Sequence, residues 1–242
     1  MVSVEGTHPR RTPAIITSVS TTEQRVAVLV PCRDEEATVS DVVAGFSVSL
    51  PGCTVHVYDN GSVDATAERA AEAGAVVRIE ENPGKGGVVR RMFAEIDADV
   101  YVVVDGDGTY DSRQAPMLVE HLVSGGLDMV VGTRAGIRAD AGRVGHALGN
   151  RMFNRLYRIL FGIGFTDILS GYRVLSRRFV KSFPAVSSGF EIETEISVHA
   201  SQLRLPTAEV EVSYGARLDG SSSKLRTVAD GTNILRAMLV LL

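Results

Sequence analysis

The sequence predicts an α/β protein: a doubly wound, mostly parallel sheet with helices on both faces. Three observations predict it. Short runs of Val, Ile and Leu alternate along the chain with longer segments of helical pattern, the order that builds parallel sheets. The central run, Tyr101-Val102-Val103-Val104, lacks polar alternation, as expected of a strand covered on both faces. Several runs lead directly into Asp, Gly or Pro, where an open α/β sheet presents its strand ends to ligands.

The first strand is Val26–Val30. Pro31 ends it, and Asp34, Glu35 and Glu36 suit the positive start of a helix running to about Leu50. No Gly-x-Gly-x-x-Gly follows, which argues against a Rossmann dinucleotide site. Thr54–Tyr58 is the second strand. Asp59 occupies its exit, where a carboxylate can accept a hydrogen bond from a nucleobase N–H; an ordinary turn is the alternative. Ser62 or Asp64 can cap the next helix, which runs to Ala73 and stops at Gly74. Val76–Ile79 is a short third strand. Asn82-Pro83-Gly84-Lys85-Gly86-Gly87 follows, a basic, glycine-rich loop opening a helix over Val88–Ile96, which suits a phosphate. It is not a P-loop, because Gly86 rather than Ser or Thr follows Lys85.

The fourth strand runs straight into Asp105-Gly106-Asp107. Two close carboxylates repel unless a cation or protons lie between them. Oxygen-only ligands favour Mg²⁺ or Mn²⁺, with substrate phosphates completing the shell. A plain surface turn is the simplest alternative. An EF-hand loop fails, because its sixth position is Tyr110 and its twelfth Pro116. Asp-x-Asp-x-Thr also resembles the nucleophile motif of haloacid-dehalogenase-type phosphatases. That motif normally opens its fold and needs a later lysine and a second acidic cluster, and no convincing cluster follows here.

A helix follows at Arg113–Val123, then a strand over Leu127–Gly132 ending at Thr133-Arg134, then a polar loop, Ala135–Gly142. The next helix, Arg143–Phe161, sets Arg151, Arg155 and Arg158 on one face. Such a face suits a membrane interface or an anionic headgroup, or simply water. Asp167–Arg173 leads into another strand. Gly189–Glu195 opens a helix through Leu203, and Pro206–Tyr214 alternates as a strand. Gly220–Leu225 is a basic, serine-rich loop able to fold over a phosphate.

The 242 residues suit one large domain, residues 25–225, with appendages. Residues 1–24 read as a disordered leader, whose apolar piece Ala14-Ile15-Ile16 is too short for a signal-peptide core. Residues 226–242 read as an apolar helix that can dock on the domain, lie on a membrane or lead into a membrane segment. No window reaches the roughly 18 apolar residues of a spanning helix. Net charge is −4, which argues against general nucleic-acid binding. Cys32 and Cys53 have no metal or redox spacing and read as reduced cytosolic thiols.

Taken together, Val28–Glu35, Tyr58–Thr66, Asn82–Gly86, Asp105-Gly106-Asp107, Val131–Arg134, Asp167–Arg173 and Arg217 through Lys224-Leu225 resemble family 2 glycosyltransferases with the GT-A fold. The chain is most similar to polyprenyl-phosphate glycosyltransferases of the dolichol-phosphate mannose synthase type, over roughly Val26–Leu225. The resemblance implies that Pro31, Arg33, Glu35 and Asp59 line a nucleotide pocket, with Lys85 in the donor site. Asp105 and Asp107 would hold Mg²⁺ or Mn²⁺ against the donor diphosphate. Arg134 would lie near the acceptor or the diphosphate, and Arg217 and Lys224 on a loop that engages phosphate. His146 and Asn150 would lie on the acceptor helix.

The implied reaction is inverting transfer of a sugar from a UDP- or GDP-sugar to polyprenyl phosphate. It would take place at the inner, cytoplasmic face of the cell membrane, with peripheral membrane contact or a membrane partner protein and no nucleic acid. A phosphate monoester is largely dianionic near neutral pH, its second pKa being about 6, so it needs orientation rather than a strong base. A hydroxyl acceptor on the same donor site would need a general base, for which Asp167 and Glu191 are candidates. A nucleotide-sugar-binding subunit without turnover is the third reading.

Overall fold

The computed structural model describes residues 24–135, 144–162, 164–216 and 227–242. The leader up to residue 23, Arg217 and Lys224 lie outside them. A seven-stranded sheet runs in the order β3 (Val76–Ile79), β2 (Thr54–Asp59), β1 (Val26–Cys32), β4 (Val100–Val103), β6 (Arg173–Ser176), β5 (Met129–Ala135) and β7 (Thr207–Ser213). β1 pairs in parallel with β2 and with β4, and β2 pairs in parallel with β3. The chain steps from β1 out to β3 and then returns to the other side of β1. Strand order therefore reverses between β1 and β4, and the crevice outside their carboxyl ends is where such sheets bind ligands. Asp105 and Asp107 follow β4 directly.

The other half of the sheet departs from the parallel expectation. β6 lies between β4 and β5 and runs antiparallel to both, while β7 is parallel to β5. Arg173 sits level with Val103 of β4 and Val131 of β5. β6 thus starts at the rim where its neighbours end. A four-residue apolar strand has the same pattern in either direction, so only the pairing reveals its sense. The reversal brings the preceding turn, residues 167–172, over the end of β4.

Side chains alternate across the sheet. Val28, Val30, Val102 and Val130 face α1 (Val39–Ser49), α2 (Thr66–Glu72) and α4 (Ala115–Ser124), meeting Val43, Phe46, Ala70, Leu118 and Leu122. Leu29, Tyr101, Val103 and Val131 face the opposite layer of α3 (Lys85–Glu95), α5 (Val144–Phe161), α6 (Arg177–Ser182), α7 (Ile192–Gln202) and α8 (Thr227–Val240). Met92, Phe93, Tyr157, Phe179, Ile196 and Met238 fill that side. Each fully buried Leu, Phe or Met contributes roughly 1.5–3 kcal/mol of hydrophobic stabilisation. Among the described residues no helix is long and apolar enough to cross a membrane. Arg151, Arg155 and Arg158 are all exposed on α5. α8 buries Ile234 and Met238 and exposes Leu235, Leu239 and Val240.

Among the charged side chains that lie inside is an arginine at the start of β6. Arg173 is 1% exposed. Its Nε donates to the Ser170 carbonyl at 3.0 Å, Nη2 to the Ile168 carbonyl at 2.7 Å, and Nη1 to Ser197 Oγ at 3.0 Å. Burial pushes its pKa below the ordinary arginine value, and Glu193 and Asp167 pull it back. The guanidinium clamps the 168–170 turn onto α7. Arg173→Met keeps the bulk and removes the desolvated charge, but it strands two carbonyls, while the Ser197 hydroxyl keeps its bond to the Glu193 carbonyl. Each orphaned buried group costs about 1–3 kcal/mol, so a net loss of about 2 kcal/mol is expected in urea denaturation. A variant as stable as the parent would show that desolvating the cation offsets its three bonds.

Candidate active site

The site begins with two interlocked loops at the ends of β1 and β2. Cys32 pairs with Asp59, and Asn60 N donates to the Cys32 carbonyl at 2.8 Å. Asp59 is 5% exposed, and its Oδ1 accepts from Ser62 N at 3.2 Å and from the Ser62 hydroxyl. Ser62 Oγ in turn accepts from Asp34 N at 2.8 Å, and Asp34 Oδ1 accepts from Val63 N at 2.9 Å. Glu35 N donates to Thr66 Oγ1, Glu36 N donates to Asp64 Oδ2, and Glu36 Oε2 accepts from Ala65 N. Asp34 holds a φ of +50°, a left-handed conformation that Asp tolerates better than most residues. Pro31, Arg33, Glu35 and Asp59 thus converge on one rim. Arg33 is exposed, with its Nε 3.8 Å from Asp34.

Asn60 ties this rim to the lysine loop. Its Nδ2 donates to the carbonyls of Glu80 and Asn82 at 2.9 and 2.7 Å, and its Oδ1 accepts from Gly84 N at 2.7 Å. In the sequence Asn60 stands only as one residue of the exit from the second strand and of the Tyr58–Thr66 stretch, with no role of its own.

The loop's glycines have a different use from the one expected. Gly86 N and Gly87 N donate to the Ser188 carbonyl at 3.0 and 3.3 Å, so these amides are engaged by protein rather than turned toward a phosphate. A Cβ on Gly84 would lie 2.2 Å from Ser188 O, and one on Gly86 2.3 Å from Ser187 O. Gly84 also holds a φ of +121°. The glycines let the 187–189 backbone approach, and the Lys85 side chain is what the loop presents to the rim.

Lys85 Nζ lies 2.5 Å from Asp105 Oδ1 and 2.5 Å from Glu193 Oε1. Burial would lower the pKa of Lys85, but the two carboxylates overcome it and hold the ammonium above its usual range. Burial pushes the Glu193 carboxyl up, with Lys85 opposing. Its second oxygen, Oε2, is buried without a hydrogen-bond partner among the described residues. Asp107 is 4% exposed, and its Oδ1 accepts from Thr109 N at 3.2 Å and Thr109 Oγ1 at 2.6 Å. Glu193 escaped sequence reasoning, which chose Glu191 from the same acidic stretch. Helix α7 is buried along most of its length, and that is what makes an acid at 193 significant.

The 167–172 turn closes the other side. Arg134 Nε and Nη2 grip Asp167 Oδ2 and Oδ1 at 2.8 and 2.7 Å, and Arg134 N adds a bond at 3.3 Å. Burial would raise the Asp167 pKa, but the Arg134 bonds and charge hold it below the usual carboxylate range. The Arg134 guanidinium lies over the Tyr214 ring, 5.5 Å from its centroid. Asn154 Oδ1 accepts from Ile168 N at 3.1 Å, and Tyr110 Oη accepts from Gly171 N at 2.9 Å. A bridge between Tyr110 and Tyr214 and a bond from Gly215 N to Thr109 O join the end of β7 to the acid loop.

A Cβ on Gly171 would stand 2.2 Å from Asp105 Oδ2. Gly171→Ala is therefore expected to displace Asp105 and to cut turnover about 10²-fold, as a misplacement of about 1 Å does, with a parental melting temperature. Parental turnover would show that Asp105 lies away from the chemistry.

Of the two carboxylates considered as bases, Asp167 is engaged by Arg134. Glu191 Oε1 accepts from Ser188 N and Gly189 N at 3.2 and 3.0 Å. Asn150 accepts from Asn154 on α5; the side chain of His146, like Arg217 and Lys224, lies outside the described residues. The acid pair fits a hard divalent cation. Its donors are carboxylate oxygens, and the Lys85 ammonium already rests on Asp105 as a cationic stand-in. Among the described residues no group of three or more His, Cys, Asp or Glu is placed to hold a metal ion.

Residues 27–183 match Glycosyl transferase family 2. Glycosyltransferase AglJ of Haloferax volcanii is 36% identical over 212 residues, covering 87% of this chain and 69% of that protein. Dolichyl-phosphate hexose transferase of the same organism is 27% identical over 214 residues, covering 88% and 92%. Among solved structures, glucosyl-3-phosphoglycerate synthase of Mycobacterium tuberculosis, in complex with Mn²⁺, UDP and glucosyl-3-phosphoglycerate, superposes with a TM-score of 0.76. That match has 25% identity and covers 90% of this chain and 80% of the other. Strand order, the acid pair at the β1/β4 crevice and these likenesses agree: the chain is a glycosyltransferase of the GT-A fold and belongs to glycosyl transferase family 2.

Proposed function

We propose that the enzyme moves a sugar from a nucleoside diphosphate sugar to polyprenyl phosphate with inversion, using Mg²⁺ or Mn²⁺ on Asp105 and Asp107. The observation that carries this reading is the pairing of Asp167 with Arg134. Asp167, one of the two carboxylates considered as a base, is locked in an ion pair, and the cation that holds it is itself 15% exposed. That arrangement suits an acceptor that is already an anion. The likeness to a dolichyl-phosphate hexose transferase supports the same acceptor class.

In this reading Asp59 accepts from the nucleobase, and Pro31, Arg33 and Glu35 wall the nucleotide. Lys85 donates to the diphosphate. The cation, when bound, supplies charge stabilisation to the departing diphosphate. Arg134 orients the acceptor phosphate and offsets its repulsion from the donor, and Arg217 and Lys224 add further positive charge. An acceptor phosphate oxygen forms the new bond to the anomeric carbon as the bond to the diphosphate breaks. No proton must be removed. The exposed arginines of α5 suit the headgroups at the inner face of a membrane, with residues 25–225 as the catalytic domain and 226–242 as the helix beside it.

The test is transfer itself. The purified chain with Mg²⁺ or Mn²⁺ is given UDP- and GDP-sugars with and without a short-chain polyprenyl phosphate. Sugar in the lipid extract with one donor is expected. Nucleotide release indifferent to the lipid would favour a soluble hydroxyl acceptor, the second reading, which the glucosyl-3-phosphoglycerate synthase likeness supports. Glu193, with its raised carboxyl and unpartnered oxygen, would then be the base to test.

A further inference from the structure

Lys85 and Glu193 sit where a cation site and a diphosphate site would meet, and any role for them there rests on Asp105 and Asp107 being that cation site. One ammonium faces two carboxylates at equal distance, 2.5 Å each, and its side chain is only 11% exposed. Asp105 belongs to the acid pair. Glu193 comes from α7, more than a hundred residues further along the chain than Lys85. The lysine backbone has little room to retreat, because Gly84 and Gly86 press against the Ser188 and Ser187 carbonyls and Gly86 N bonds to Ser188. An ammonium and a divalent cation on the same carboxylate oxygen repel each other.

We propose that Lys85 is the resident counter-cation of the acid pair, that a divalent cation displaces its ammonium from Asp105, and that Glu193 retains it for the incoming diphosphate. Glu193 is then a positioning residue, acting through Lys85. An ammonium has three N–H donors. Held by Glu193 alone, it keeps one bond to protein and turns two donors to phosphate oxygens. A cation arriving by itself must break a buried ion pair. Arriving with a diphosphate, it gives the ammonium new anionic partners. Cation and diphosphate therefore bind cooperatively, and each tightens the other by the same factor.

The test needs neither sugar nor acceptor. Mn²⁺ binding to the full chain is measured from the electron paramagnetic resonance signal of free Mn²⁺, with and without UDP or GDP. The parent is expected to bind Mn²⁺ at least tenfold more tightly, as a rough figure, once the nucleotide is present. Lys85→Met is expected to bind Mn²⁺ alone about tenfold more tightly than the parent and to gain little from the nucleotide. Glu193→Gln is expected to bind Mn²⁺ alone more weakly, because the ammonium then rests wholly on Asp105, and to lose much of the coupling.

General damage to the fold weakens binding, so a tighter Lys85→Met distinguishes displacement from a structural role. Equal or weaker Mn²⁺ binding by Lys85→Met at a parental melting temperature would overturn displacement. Parental coupling in Glu193→Gln would overturn retention, and a parent indifferent to nucleotide would overturn both, whether or not the variants fold. If the parent binds no Mn²⁺ even with nucleotide, the cation site itself is wrong and the proposal falls with it. None of these outcomes depends on the identity of the acceptor.

Discussion

Asp107→Asn is expected to lower turnover about 10³-fold, roughly 4 kcal/mol of transition-state stabilisation, while leaving the fold intact. The two halves of that expectation come from different atoms of one side chain. Asp107 Oδ1 accepts from the backbone and hydroxyl of Thr109, and an amide oxygen can accept the same two bonds. The loop geometry therefore survives. What is lost is a formal charge in a buried position, 4% exposed, at the end of β4. A divalent cation would hold on to Asp105 alone, and there it also meets the Lys85 ammonium. Turnover is followed from nucleotide release across a wide range of Mn²⁺ concentration. Rescue at high Mn²⁺ would place the loss in cation affinity. Near-parental turnover at low Mn²⁺ would remove Asp107 from the site.

The same stretch shows how much of the molecule was legible beforehand. An unbroken apolar run announces a buried strand, because a strand covered on both faces needs no polar alternation, and the structure buries Val100–Val104. The converging loops at Asp34–Glu36 and Asp59–Thr66 were legible because each follows a strand. Three features were not. The direction of β6 is set by pairing with β4 and β5, and four apolar residues carry no direction. The glycines at 84 and 86 signal close approach without saying whether a phosphate or, as found, a protein carbonyl comes close. Glu193 looks like any acid in the first turn of a helix until the helix proves buried and Lys85 reaches across to it. In each case local chemistry was readable, and the partner, distant in sequence, was not.

Arg134→Met is expected to destabilise the chain by about 3–5 kcal/mol near neutral pH, because it leaves Asp167 buried and unpaired. Asp167 is 5% exposed, and what remains to its carboxylate is the bond from Arg134 N and the more distant charge of Arg173, together weaker than the burial that opposes them. The pH dependence fixes the cause. In the parent, Arg134 holds the Asp167 pKa below its unfolded value. That stabilisation is present above the unfolded pKa and is lost as pH falls through the folded one. With Arg134 removed, burial dominates and raises the folded pKa. The protonated acid is then the form the fold prefers, and the variant loses stability as pH rises from the unfolded pKa toward the folded one. Urea denaturation should therefore show a gap between parent and variant that is widest near neutral pH and narrows in acid. A gap of constant size would mean that lost packing on Tyr214, not charge, is responsible. Adding Asp167→Asn to Arg134→Met removes the stranded charge and should recover most of the neutral-pH stability. If Arg134 also orients an anionic acceptor, the double variant regains its fold without regaining transfer. Recovery of both would confine Arg134 to holding the 167–172 turn in place.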